Sequence, residues 1–224
     1  MSFTPFDEKD FEQTGSIQSD QIPEPLATKI TELRQGLGSF PEFQLEFFSR
    51  HIVRRPRMHG IDGLVFGRPR PGERHWYLYI VGGDQDQVQL NVGMYKDYMR
   101  VGMGFMMGRQ VALKIPALHV LQCFLGMRPP LPFRNALLRC IKQHNFQIES
   151  PEGVLAIDAE GTIHRLETYV VPSDDTPVFI FLGAIWYPSM AASKTLDAYR
   201  SVFRALMPFY EELLLAGGRY EFHI

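Results

Sequence analysis

The stretch "HWYLYIVGGDQDQVQLNVGMYKDYMRVGMGFMMG", residues 75–108, changes the period of the chain. Val88, Leu90 and Val92 alternate with Gln87, Gln89 and Asn91, and the segments on either side are rich in β-branched and aromatic residues. A repeat of two is the period of a strand, so the stretch predicts a meander of strands with one face buried. Its connectors agree. "GGDQD" carries the glycine and aspartate that short hairpin loops need, and "YKD" joins the next pair.

Outward from this centre the period returns to that of helices. On the N-terminal side, Leu26, Ile30, Leu33 and Leu37 recur at spacings of four, three and four, and Gly38 follows as a stop. A second helix is expected from near Pro41 through "EFQLEFFSRHI", and "MHGIDGLVFGR" is expected to add a strand. On the C-terminal side, "IPALHVLQCFLGM" and "PFRNALLRCIKQH" read as helices joined by the rigid "RPPLP". "GVLAIDA", "TIHRLETYVV" and "VFIFLGAIWY" read as strands, and "SKTLDAYRSVFRALMPFYEELLLAGG" as a closing helix interrupted by Pro208. The order of helices, strands, helices, strands and helix predicts an α+β fold: a mainly antiparallel, curved or barrel-like sheet with flanking helices.

Residues 1–24 are polar, acidic and broken by prolines, with isolated Phe3, Phe6 and Phe11, and are expected to form a flexible acidic arm. Residues 25–224 are expected to form one α+β domain. At 45% hydrophobic and 21% charged residues, the chain has the composition of an ordinary globular protein. No apolar run approaches the ~18 residues of a membrane span, and the N-terminus lacks a basic and apolar leader, so a cytoplasmic location is expected. Cys123 and Cys140 sit among apolar residues and read as buried, reduced thiols.

Charge carries the functional signal. Residues 1–49 hold three basic and nine acidic residues, net -6; residues 50–142 hold fifteen and five, net +10; residues 143–224 hold five and eleven, net -6. A total of -2 therefore conceals a basic centre between acidic flanks. Twelve of the fifteen central cations are arginine, whose planar fork bonds a phosphate or a guanine edge bidentately. Seven of those arginines crowd into "RHIVRRPRMHGIDGLVFGRPRPGERH", residues 50–75, where prolines stiffen the chain that carries them.

Catalytic patterns are missing. An acid-x-Lys pair of the kind metal-dependent nucleases use occurs once, at Asp7 to Lys9, with no acid upstream. Asp158 and Glu160 fit a strand-ending turn, the seven histidines lack metal-ligand spacing, and no G-x-S-x-G elbow is present. "VGMGFMMG" is one residue too long for a dinucleotide turn, and Gly102 and Gly104 instead mark a close approach of backbone or ligand. No catalytic residue, metal or cofactor is assigned.

These readings lead to a DNA-binding recognition module, of the kind that supplies specificity to a restriction or defence system. Its partner is double-stranded DNA, with cleavage left to a separate nuclease or motor subunit. Arg54, Arg55, Arg57, Arg68, Arg70 and Arg74 would grip phosphates, and Lys96, Arg100 and Arg109 would extend the patch. Trp76, Tyr77 and Tyr79 could stack on a base or wall a pocket for a flipped or modified one. The rival class is a protein-interaction or assembly component whose basic surface docks an acidic partner.

Overall fold

Side-chain alternation builds the sheet of the computed structural model, which describes residues 3–16, 22–38, 75–82, 88–107, 117–128, 132–170 and 178–220. Strands β1 (His75–Gly82), β2 (Val88–Tyr95) and β3 (Met99–Met107) follow the expected meander. Lys96 and Asp97 turn the chain between β2 and β3, and the Tyr95 N–H donates to the Tyr98 carbonyl at 2.8 Å. Val88, Leu90, Val92 and Met94 are fully buried, and so nearly are their alternating neighbours Gln89 and Asn91. Both faces of β2 are thus covered, where the alternation predicts one wet face.

Three further strands, β4 (Gln147–Ser150), β5 (Gly153–Leu155) and β6 (Val178–Trp186), complete a six-stranded sheet in the order β1-β2-β3-β6-β4-β5. β4 runs antiparallel to both neighbours, with Ile148 opposite Leu155 on one side and Leu182 on the other. The fold is α+β with a mainly antiparallel sheet. The sheet has two ends and is not closed into a barrel.

The chain groups into two compact units: residues 1–81, 91–101 and 185–204, and residues 82–90, 102–184 and 205–224. In the first unit, helix α1 (Glu8–Ser16) begins with a reciprocal cap. Asp7 accepts from the Lys9 and Asp10 N–H groups, while the Asp10 carboxylate accepts from the Asp7 N–H at 2.8 Å. Lys29 of helix α2 (Glu24–Gly38) donates to both carboxylates, at 2.9 Å to Asp7 and 2.7 Å to Asp10. Phe6 is 0% exposed and Phe11 1%, and Phe3 meets the Tyr199 ring edge-on at 5.6 Å. Residues 3–16 are therefore docked and not a flexible arm, because their phenylalanines leave water with the unit.

Helix α2 buries Leu26, Ile30, Leu33 and Leu37, as the spacing predicts. Arg34 Nε donates to the Leu78 carbonyl at 2.7 Å, and burial lowers its pKa to about 10. Helices α6 (Pro188–Ala191) and α7 (Leu196–Tyr220) close the C-terminal part. Gly36 lets Leu196 of α7 settle against α2, and Arg200 Nη2 donates to the Gly36 carbonyl at 2.9 Å.

In the second unit, helices α3 (Ala117–Gly126), α4 (Pro132–His144) and α5 (Ala159–Thr168) pack on one another. Helix α5 overturns the strand expected from "TIHRLETYVV". Asp158 caps it by accepting from the Gly161 N–H at 2.7 Å, and Thr162, Ile163 and Leu166 turn inward at helical spacing. At its other end, Gln122 Nε2 donates to the Leu166 and Tyr169 carbonyls. Asp158 is thus a helix cap, where a strand-ending turn was expected. Helix α4 stops at Asn145, whose φ of 51° is left-handed, and the Phe146 N–H reaches back to the Ile141 carbonyl.

Gly102 marks a close approach of backbone. A Cβ there would lie 2.5 Å from the Leu182 carbonyl oxygen and 2.7 Å from Gly183 Cα, both backbone atoms of β6. Gly102→Ala is therefore expected to cost about 1–3 kcal/mol as the strands move apart, read as a lower midpoint in urea unfolding. An unchanged midpoint would mean that the strands can separate freely at this point.

Candidate nucleic-acid interface

The β2–β3 turn presents one expected contact and withdraws another. Lys96 lies at the tip, exposed beside Asp97, and forms no ion pair among the described residues. Arg100 lies four residues further on and is 1% exposed. Its side chain runs across Gly93, where a Cβ would come within 2.7 Å of Arg100 Nε. Its Nη1 donates to the Tyr95 hydroxyl at 2.8 Å, and its guanidinium carbon is 5.2 Å from the Tyr95 ring centroid. Tyr95 in turn stacks on Tyr98, with centroids 4.5 Å apart and planes 19° from parallel. A guanidinium enclosed in this way braces the hairpin and cannot join an exposed phosphate-gripping patch, which corrects the expectation for Arg100.

Asn91 shares the Gly93 face by alternation. It is fully buried, and neither atom of its amide finds a hydrogen-bond partner among the described residues. Leaving an amide so placed costs about 1–3 kcal/mol, so the surrounding packing outweighs local polar satisfaction.

The other expected contacts are only partly covered. Arg54, Arg55, Arg57, Arg68, Arg70, Arg74 and Arg109 lie outside the described residues, as do the helix expected near Pro41 and the strand in "MHGIDGLVFGR". Trp76, Tyr77 and Tyr79 belong to β1, but their side chains are outside the described set.

Helix α4 is a basic surface that lies outside the expected contacts. It contains Arg134, Arg139 and Lys142 and no acid, and no acid occurs in the sequence between Asp97 and Glu149. Phe133, Leu137 and Ile141 are buried, while Pro132, Asn135, Arg139, Lys142 and Gln143 are exposed. The signal was present in "PFRNALLRCIKQH" as polar residues at 135, 139, 142 and 143 opposite an apolar stripe. Arg139 has no ion pair among the described residues; Lys142 meets Glu160 at 3.4 Å and Arg128 meets Glu167 at 3.1 Å.

A groove of about 570 Å³ runs between α4 and the second half of α7, floored by Phe133, Cys140 and Phe209 and edged by Arg139, Gln143 and Glu212. Cys140 donates to the Ala205 carbonyl at 3.5 Å, close to Pro208, which the helix accommodates without ending. Burial pushes its thiol up to about 11, so it packs as a neutral group and is no ready nucleophile. Cys123, expected to be buried, is exposed on α3.

Among the described residues no cluster of histidine, cysteine, aspartate or glutamate is placed to hold a metal ion, and no helix is long and apolar enough to cross a membrane. Comparison with protein-family models and with curated proteins finds no match to this chain.

Proposed function

We propose that the chain is a recognition module for double-stranded DNA that supplies specificity to a restriction or defence system and leaves cleavage to a separate nuclease or motor subunit. The observation that carries this reading is that cations of the chain's centre remain exposed and unpaired among the described residues, although Arg128 and Lys142 meet Glu167 and Glu160 of the C-terminal flank. The flanks neutralise part of their own charge: Lys29 with Asp7 and Asp10, Arg165 with Glu152, and Arg200 with Asp197. From the centre, Lys96 and Arg139 stand exposed without an ion pair among the described residues. In this reading Arg54, Arg55, Arg57, Arg68, Arg70, Arg74 and Arg109 grip phosphates alongside Lys96, and Arg100 shapes the hairpin that carries Lys96. Aromatic residues of β1, Tyr77 and Tyr79 on one face or Trp76 on the other, would stack on or wall a pocket for a flipped or modified base.

Fluorescence anisotropy of labelled duplexes, unmodified and cytosine-methylated, at two salt concentrations tests the reading. Saturable binding that weakens steeply with salt is expected, and Arg68→Ala with Arg70→Ala together should reduce the salt slope by about 2. No binding at low salt would instead favour the rival, a basic surface docking an acidic protein, and a mass increase in solution would then identify assembly.

A further inference from the structure

We infer that helix α4 enters the major groove of duplex DNA, with Asn135, Arg139 and Gln143 facing base edges and Lys142 facing a phosphate. This inference rests on the nucleic-acid reading and adds to it the element that reads sequence.

Geometry supplies the first argument. At 3.6 residues per turn, Pro132, Asn135, Arg139, Lys142 and Gln143 fall within one arc of about 100°, and they are the exposed residues of the helix. Phe133, Leu137 and Ile141 hold the opposite side in the core. Asn135, Arg139 and Gln143 follow one another at intervals of four residues, so the stripe extends about 12 Å, the length of roughly three to four base pairs. A helix about 10–12 Å across with its side chains fits the B-form major groove, which is about 12 Å wide.

Chemistry supplies the second. Asparagine and glutamine pair bidentately with adenine, and arginine with guanine, so all three residues of the stripe are base-reading types. The exposed arc carries no leucine, methionine or aromatic residue, the side chains that anchor protein interfaces. Double-stranded RNA is disfavoured because its deep, narrow major groove does not admit a helix.

Charge supplies the third. The helix has no acid to repel a phosphate. The contact between Lys142 and Glu160 is long, at 3.4 Å, and joins side chains that are each more than half exposed. Such a pair contributes little and can be exchanged for a phosphate.

The test uses the full chain and begins by selecting preferred duplexes from a random-sequence library. On the preferred duplex, Arg139→Ala is expected to weaken binding by about tenfold to a hundredfold. On random-sequence DNA the loss should stay within about threefold, so the preference collapses. Gln143→Ala should relax a different base position, and Lys142→Ala should keep the preference while reducing the salt slope by about 1. Replacing the contacted guanine by 7-deazaguanine, which lacks the N7 acceptor but keeps O6, should reproduce part of the Arg139→Ala loss in the wild type and add nothing to it in the variant. Thermal midpoints matching wild type confirm that these exposed substitutions leave the fold intact.

Salt-dependent, sequence-selective binding that survives all three substitutions would overturn the role of α4 and leave the DNA reading standing. Tighter binding to duplex RNA than to duplex DNA would also overturn it. Failure of the wild type to bind any duplex at low salt would remove both.

Discussion

Arg100→Ala is expected to destabilise the protein by about 3–5 kcal/mol, a large share of the roughly 5–15 kcal/mol that holds a typical domain folded. The side chain is 1% exposed, so its removal empties a volume that Gly93 opposite cannot fill. It also strips the Tyr95 hydroxyl of its 2.8 Å donor and the Tyr95 ring of its cation. Urea unfolding checks the size of the loss. Arg100→Lys keeps a charge but lacks the planar fork, and should recover part of the stability and not all of it. DNA affinity and its salt slope, measured where the variant is still folded, should match wild type. An Arg100→Ala protein with normal stability and weakened DNA binding would instead return Arg100 to the interface.

Phe11→Ala is expected to cost a comparable amount, about 3–5 kcal/mol, despite lying within an acidic stretch close to the start of the chain. Phe11 is 1% exposed, and deleting its ring leaves a cavity. Removal of residues 1–16 should likewise lower the unfolding midpoint and expose apolar surface to a hydrophobic dye; a neutral deletion would show that the segment contributes nothing to the unit. The same docking has a pH signature. The hydrogen bond from Lys29 holds the Asp7 carboxyl below its usual range. Its contribution is therefore complete above the unfolded carboxylate pKa, near 4, and is lost as pH falls through the lower folded value. Burial alone would lower the Lys29 pKa, but the hydrogen bonds to Asp10 and Asp7 outweigh it and raise the value. That contribution is present below the ordinary lysine pKa of 10.5 and fades as pH rises through the folded value. Because Asp7 is more than half exposed, the acid effect should be small beside that of Phe11.

Elements whose apolar residues repeat cleanly were legible. The four-three-four spacing of α2 states which face is buried, and the structure follows it; the alternation of β2 and the apolar run of β6 mark strands correctly, although both faces of β2 turn out to be covered. Helix α5 reads as a strand in the sequence because Thr162, Ile163, Thr168, Tyr169 and Val170 favour strands locally. A cap at Asp158 and burial of Thr162, Ile163 and Leu166 against neighbouring helices override that preference. The N-terminal segment reads as an arm for a related reason: isolated phenylalanines among acids signal little until α2 supplies Lys29 and the unit supplies a core.

The candidate site divides along the same line. Sequence by itself determined the α+β class, the central meander and the concentration of cations between Arg50 and Lys142, because these depend on residue type and short-range period. Only the tertiary structure decided which cations meet solvent. Arg100 and Arg139 are equivalent as charges in the sequence, yet one braces a hairpin over Gly93 and the other stands exposed on α4. The difference is one of solvent access, which depends on what packs against each residue from elsewhere in the chain.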